Sequence, residues 1–176
     1  IQVSARLIEA GGDLDIESAV TKALEEGDSI GGIVQCEASP MPVGLGEPFF
    51  ESVESMLAHA IFSIPAIKGI EFGSGFQAAR MRGSVHNDPI LSSGGTTATN
   101  HAGGINGGIS NGNNLIFRVA VKPTSSISKP QQTFNVESGK VEELVIQGRH
   151  DTCIALRVPV VVEAVTAIVL ANFIHR

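Results

Sequence analysis

The stretch from Asn100 to Ser126, NHAGGINGGISNGNNLIFRVAVKPTSS, decides how the rest of this chain is read. Its first thirteen residues hold five glycines, and glycine at that density lets main-chain amides approach a bound group closely. From Asn114 to Lys122 the pattern alternates, placing Leu115, Phe117, Val119 and Val121 on one face and Ile116, Arg118, Ala120 and Lys122 on the other. Lys122, Thr124, Ser125 and Ser126 then supply the cation and hydroxyls that an anion needs, around Pro123 as a strand end. The whole reads as a half-buried strand between a glycine-rich loop and a phosphate or cofactor cradle.

Working outward, helical and extended patterns interleave. Asp15 is placed to cap a helix over roughly Ile16 to Glu26, with Ile16, Ala19, Val20, Ala23 and Leu24 on one face and Gly27 as the stop. Ile30 to Glu37 reads as a strand. Pro48 suits the first turn of a second helix, in which Phe50, Val53, Met56, Leu57, Ala60, Ile61 and Ile64 recur at helical spacing until Pro65 ends it. Ala66 to Phe72 is a strand leading into the Gly73 turn, and Gly139 marks a hairpin turn before a strand around Val141 to Gln147. The closing stretch from Arg157 is rich in valine, which favours strand, but its length and Pro159 near its start favour a buried helix. Ser84 to Gly112 shows little periodicity, and a connection of that length in a compact domain points to function. These patterns predict an α+β fold in one domain over residues 1–176.

Composition narrows the function classes. A chain of 176 residues buries about 70% of its unfolded surface and supports a real core. With no Trp or Tyr and only 8 Phe, that core must be aliphatic. Residues 1–54 hold eleven carboxylates against Arg6 and Lys22, whereas residues 55–176 hold seven against ten Lys and Arg, so the basic excess lies with the glycine-rich loops. A pI near 5.3, no Lys/Arg run and few stacking aromatics argue against nucleic acid. The apolar run from Val158 to Ile174 is interrupted by Pro159, Glu163, Thr166 and Asn172, which argues against a membrane span. Cys36 and Cys153 form no Cys-x-x-Cys pair, so the default compartment is a reducing cytoplasm.

Arg149-His150-Asp151 sets a permanent cation, a group titrating near neutrality and a carboxylate side by side. Alone, that tripeptide reads as a surface turn with a local ion pair. His86, His101 and His150 lie in loops, yet their spacing lacks the i, i+3 or i+4 pairing of zinc motifs, and no metal site is expected. His59, on the second helix, reads as structural.

Four ordered blocks resemble the C-terminal half of the chorismate synthase family. They are the Asn100–Ser126 stretch, Val43-Gly44-Leu45-Gly46-Glu47-Pro48, Gly73-Ser74-Gly75-Phe76 running on to Gly83-Ser84-Val85-His86-Asn87-Asp88, and Gly148-Arg149-His150-Asp151-Thr152-Cys153. The family's Gly-Glu-Ser-His-Gly motif, arginine-rich loop and second histidine have no match here, so the chain is expected to be the C-terminal portion of a larger domain. The resemblance implies part of a β-α-β sandwich with helices between antiparallel sheets, in a cytoplasmic homotetramer. It implies reduced FMN as cofactor and 5-enolpyruvylshikimate 3-phosphate as substrate, converted to chorismate by 1,4-anti elimination of phosphate.

By the same resemblance, Asp151 lies near the flavin and removes the C6 proton, and Arg149 contacts flavin or substrate. Lys122, Pro123, Thr124, Ser125 and Ser126 surround the flavin phosphate and ring edge, the Pro65–Ala66 backbone lines the flavin, and Gly107 permits its close approach. Pro65 stands where the family often has Asn. Asn100 and His101 are expected to fix a loop near the flavin, and His86, Asn87 and Asp88 to organise a loop over it. The isolated 176 residues are expected to be inactive. The competing classes are a non-catalytic phosphate- or nucleotide-binding or assembly module and, more distantly, a metal hydrolase using the loop histidines.

Overall fold

The structure, a computed structural model, describes residues 1–175. Strand β1 (Gln2–Ala10) alternates Val3, Ala5 and Leu7 toward the core with Ser4 and Arg6 outward. It is followed by helix α1 (Ile16–Glu25), where the Asp15 carboxylate accepts from the Ser18 N–H at 3.2 Å. That bond satisfies one of the orphan donors of the first turn. Gly27, at φ 66°, follows the helix end as the left-handed stop that glycine adopts without steric cost. Strand β2 (Gly32–Ser39) comes next, then a single 3-10 turn at Phe49–Glu51 and helix α2 (Val53–Ile61).

Strand β3 (Ile67–Phe72) leads through a 3-10 segment to the one-turn helix α3 (Gly83–His86). The two-residue strands β4 (Ile105–Asn106) and β5 (Ile109–Ser110) form a small hairpin ahead of β6 (Leu115–Val121). Strands β7 (Gln131–Asn135) and β8 (Lys140–Leu144) pair about Gly139, and helix α4 (Val158–Ile174) closes the chain.

The main sheet has the order β1-β2-β6-β3, antiparallel throughout. β6 lies inside it, and Leu115, Phe117, Val119 and Val121 are 0–4% exposed, as the alternation predicts. Helices α2 and α4 cover this face. α2 contributes Val53, Leu57 and Ile61, four residues apart, and α4 contributes Val158, Val162, Thr166, Val169 and Leu170. Fully burying a side chain such as Leu57 stabilises the fold by about 1.5–3 kcal/mol. The opposite face of α4 leaves Val160, Val161 and Ile168 exposed, the pattern of a helix with apolar surface for a layer on either side. By length and composition alone, the helical run Ile154–Ile174 would also pass for a membrane span.

Several sequence expectations are corrected. Leu24 is 65% exposed, because α1 buries only a narrow stripe centred on Ala23. Phe50 is 90% exposed and precedes α2: Phe49 at φ 64° breaks the helical path, and the Ser52 hydroxyl, accepting from the Ser55 N–H at 3.0 Å, starts the helix afresh. Lys122 lies one residue beyond β6. His59 is exposed. The aperiodic Ser84–Gly112 segment contains the β4–β5 hairpin and a dense polar network described below.

Candidate functional site

At the C-terminal end of β6 three chain segments converge. The Lys122 N–H donates to the Ala66 carbonyl at 2.9 Å, joining the strand end to the Pro65–Ala66 turn. Ala66 has φ 71°, a left-handed conformation costing a non-glycine residue about 1–2 kcal/mol. The Lys122 ammonium donates to the Pro123 carbonyl at 3.3 Å and makes no ion pair with the described residues. Thr124 Oγ1 is fully buried without a hydrogen-bond partner, an uncommon and costly state for a hydroxyl. Pro123 and Ser125 are exposed and Ser126 is half-buried.

The second segment is Arg149–Thr152. Arg149 is exposed and unpaired among the described residues, while His150 donates from Nε2 to the Ile146 carbonyl at 3.0 Å. Asp151 accepts at Oδ1 from Arg157 Nη2 at 2.9 Å, with side chains 43% and 73% exposed. The local ion pair therefore joins Asp151 to Arg157, six residues on, and not to its neighbour Arg149. A cavity of about 270 Å³ brings Arg149, His150 and Thr152 against Ile127 and Ser128. Residues 127–128, just past Ser126, thus share one wall with Gly148, Arg149, His150 and Thr152, while Lys122–Ser126 and Asp151 lie outside its lining.

The other site candidates gather elsewhere. Gly107, exposed at φ 60°, sits in the β4–β5 turn, and its neighbour Gly108 accepts from the Val53 N–H at 2.9 Å, at the start of α2. Ala66 lies past the other end of that helix, about 13 Å along its axis. Asn100 and His101 are also at the N-terminal end of β6. The Ser74 N–H donates to the His101 carbonyl at 2.9 Å, and Gly73 donates to the Ile116 carbonyl at 2.9 Å. Within this chain, Gly107, Asn100 and His101 are therefore separated from the Lys122 cluster by the length of β6, about 20 Å.

At that far end Asp88 organises its own loop, at the opposite end of β6 from the Lys122 cluster. Its carboxylate accepts from Thr99 Oγ1 at 2.7 Å and from the N–H groups of His101 and Ala102 at 2.8 and 2.9 Å. Burial pushes this carboxyl upward, but the Thr99 hydroxyl, the two amides and the His101 charge outweigh it, leaving it below the usual carboxylate range. His101 Nδ1 lies 2.7 Å from Ser74 Oγ, and its ring stacks on His86 at 5.7 Å between centroids. Among the described residues no group of three His, Cys, Asp or Glu side chains converges as a metal site would require. The turn Asp28-Ser29-Ile30-Gly31, which contacts both segments of the Lys122 cluster, is absent from the sequence-based candidates. Its one signal was glycine next to the start of a strand.

The chorismate synthase family model matches residues 2–175. A chorismate synthase of Chitinophaga pinensis is 63% identical over 173 residues, covering 98% of this chain and 52% of that protein. One of Dehalococcoides mccartyi is 54% identical, covering 89% of this chain and 44% of that protein. One of Korarchaeum cryptofilum is 51% identical, covering 93% of this chain and 46% of that protein. A crystal structure of chorismate synthase matches with a TM-score of 0.78 at 25% identity, over 98% of this chain and 56% of the other. The chain spans about half the length of the curated relatives it matches. With a fold and a run of sequence both shared over nearly its whole length, this chain belongs to the chorismate synthase family.

Proposed function

We propose that the protein carrying this chain converts 5-enolpyruvylshikimate 3-phosphate to chorismate by 1,4-anti elimination, with reduced FMN as cofactor. The observation that carries this reading is the buried, partnerless hydroxyl of Thr124 beside the unpaired cation of Lys122. An orphaned hydroxyl and a lysine that forms no ion pair among the described residues suit a phosphate or a flavin ring edge, since the lysine charge is left uncompensated. Lys122, Thr124, Ser125, Ser126 and the Pro65–Ala66 backbone would hold the flavin. Gly107, set at the other end of β6, would meet it only if the group spans that distance or a further chain segment brings it closer. Reduced FMN, when bound, lends electron density to the substrate and recovers it, so that the elimination needs no net oxidant.

The chain's own residues contribute part of the remaining chemistry. The substrate carries a phosphate and two carboxylates, and Arg149 and Lys122 offset part of their repulsion. Asp151 keeps Oδ2 free of partners among the described residues while Arg157 holds Oδ1. That free oxygen is the acceptor for the C6 proton as the phosphate leaves with its bonding electron pair. As the chain spans about half of its relatives, the activity is assigned to the complete protein, a cytoplasmic homotetramer in this reading, and residues 1–176 alone are expected to be inactive.

The test is anaerobic assay of the complete protein with 5-enolpyruvylshikimate 3-phosphate and reduced FMN, following chorismate absorbance and phosphate release together. Chorismate formed in step with phosphate, and only with reduced flavin, is the expected result. Phosphate release that ignores the flavin, or none at all, would remove the reading.

A further inference from the structure

We propose that Ser29 is a positioning residue that holds the Lys122–Ser126 segment and the Arg149–Thr152 segment at a fixed spacing. The inference rests on the functional reading above and assigns a role to a turn outside its candidate residues.

The geometry is a clamp built from four consecutive residues. Ser29 Oγ donates to the Thr124 carbonyl at 2.6 Å, fixing the backbone of the residue whose own hydroxyl is buried and unused. One residue on, the Ile30 N–H donates to the Thr152 carbonyl at 2.8 Å, next to Asp151. One residue back, Asp28 accepts from the Ser29 N–H at Oδ1 (2.8 Å) and from Lys129 Nζ at Oδ2 (3.0 Å), tethering the far end of the 122–129 loop. The Ser29 amide, then Lys129, hold the Asp28 carboxyl below its usual range. At Gly31 a Cβ would fall against the Val121 carbonyl oxygen and within 3.2 Å of Pro123 Cδ, so the turn and the strand end meet without slack. Ser29 touches neither candidate flavin donors nor Asp151 directly. Its hydroxyl and the following amide bind the backbones of both segments, so a shift at one is passed to the other.

The experiment compares Ser29→Ala and Ser29→Thr with the wild-type complete protein. FMN affinity is read by flavin fluorescence titration, turnover at saturating FMN by chorismate formation, and local opening by hydrogen exchange at the Ile30 and Lys122 amides. Ser29→Ala is expected to weaken FMN binding about fivefold to tenfold, the effect of one lost hydrogen bond. It should also lower saturated turnover severalfold, which a simple loss of flavin affinity does not do, and speed exchange at both amides. Exchange within the β1–β2 pairing should stay unchanged, and Ser29→Thr should restore all three readouts. Wild-type affinity, turnover and exchange in Ser29→Ala would overturn the proposal, as would faster exchange throughout the sheet that Ser29→Thr does not reverse. If the wild type binds no FMN, the functional reading falls by itself, and exchange at Ile30 and Lys122 in Ser29→Ala decides the clamp alone.

Discussion

Lys122 donates its backbone N–H to Ala66 at 2.9 Å, and the residue that accepts it is one of two non-glycine residues with positive φ among those described. The strain sits where a cofactor-lining backbone is proposed, and the hydrogen bond helps to hold it. Glycine removes the left-handed penalty of about 1–2 kcal/mol and adds about 0.5–1 kcal/mol of unfolded-state entropy. Ala66→Gly is therefore expected to raise stability by about 0.5–1 kcal/mol in urea denaturation. FMN affinity should fall at the same time, because the turn is then less preorganised. A loss of stability would mean that Ala66 packing outweighs its backbone strain.

The Asp88 loop gives a pH-dependent prediction. Its carboxyl is held below the ordinary value, so it stabilises the fold when ionised: the contribution is complete above about pH 4 and is lost as pH falls through the lowered folded value. Asp88→Asn leaves the His101 and Ala102 amides and the Thr99 hydroxyl with a poorer acceptor. Urea midpoints of the two proteins should differ at pH 7 and converge as pH drops below about 4. A gap that widens on acidification would show that the sign is wrong.

How much of this was legible from residues alone depends on whether the cause was local. The α1 cap at Asp15, the β6 alternation, the Gly139 hairpin and the helix after Pro159 each follow from side-chain chemistry within a few positions, and each formed. β1 was not foreseen, although Val3, Ala5 and Leu7 alternate. It lies at the sheet edge with a mixed inward face of small and branched residues, and the Ala5 N–H is satisfied by Glu163 from α4 at 2.7 Å, a contact 158 residues away. Phe50 matched the helical stripe of α2 by spacing alone, and no spacing rule reports the positive φ at Phe49 that moved the helix start. Of the proposed site, Lys122–Ser126 reads from its residues as an anion cradle, whereas Arg149–Asp151 read alone is a surface turn and is singled out only by the family resemblance. Their shared tether at Ser29 was not legible, because a serine bonding a carbonyl 95 positions away leaves no periodic trace.

Cys36 offers a chemical check on the core. Burial pushes its thiol up to about 11 against the opposing effect of the hydrogen-bonding contact with Thr166, and burial likewise raises Cys153. Reactivity requires the thiolate and access to it. Neither thiol should react with a disulfide reagent at pH 8 until denaturant is added, whereupon both should react. Rapid labelling of Cys36 in the folded protein would mean that α4 lifts from the sheet.

Asp151 and Arg157 separate catalysis from stability. Their ion pair is exposed on both sides, and such pairs contribute about 0–1 kcal/mol. Arg157→Ala should therefore leave the denaturation midpoint nearly unchanged and lower turnover modestly, because Asp151 loses a contact that orients it but keeps its carboxylate. Asp151→Asn removes the proposed proton acceptor itself, and turnover should fall about 10²–10⁴-fold while FMN affinity and stability stay near wild type. The difference between the two variants is the informative quantity. Equal, small losses would make Asp151 a surface partner of Arg157 and nothing more, whereas a large loss confined to Asp151→Asn places the chemistry on its carboxylate.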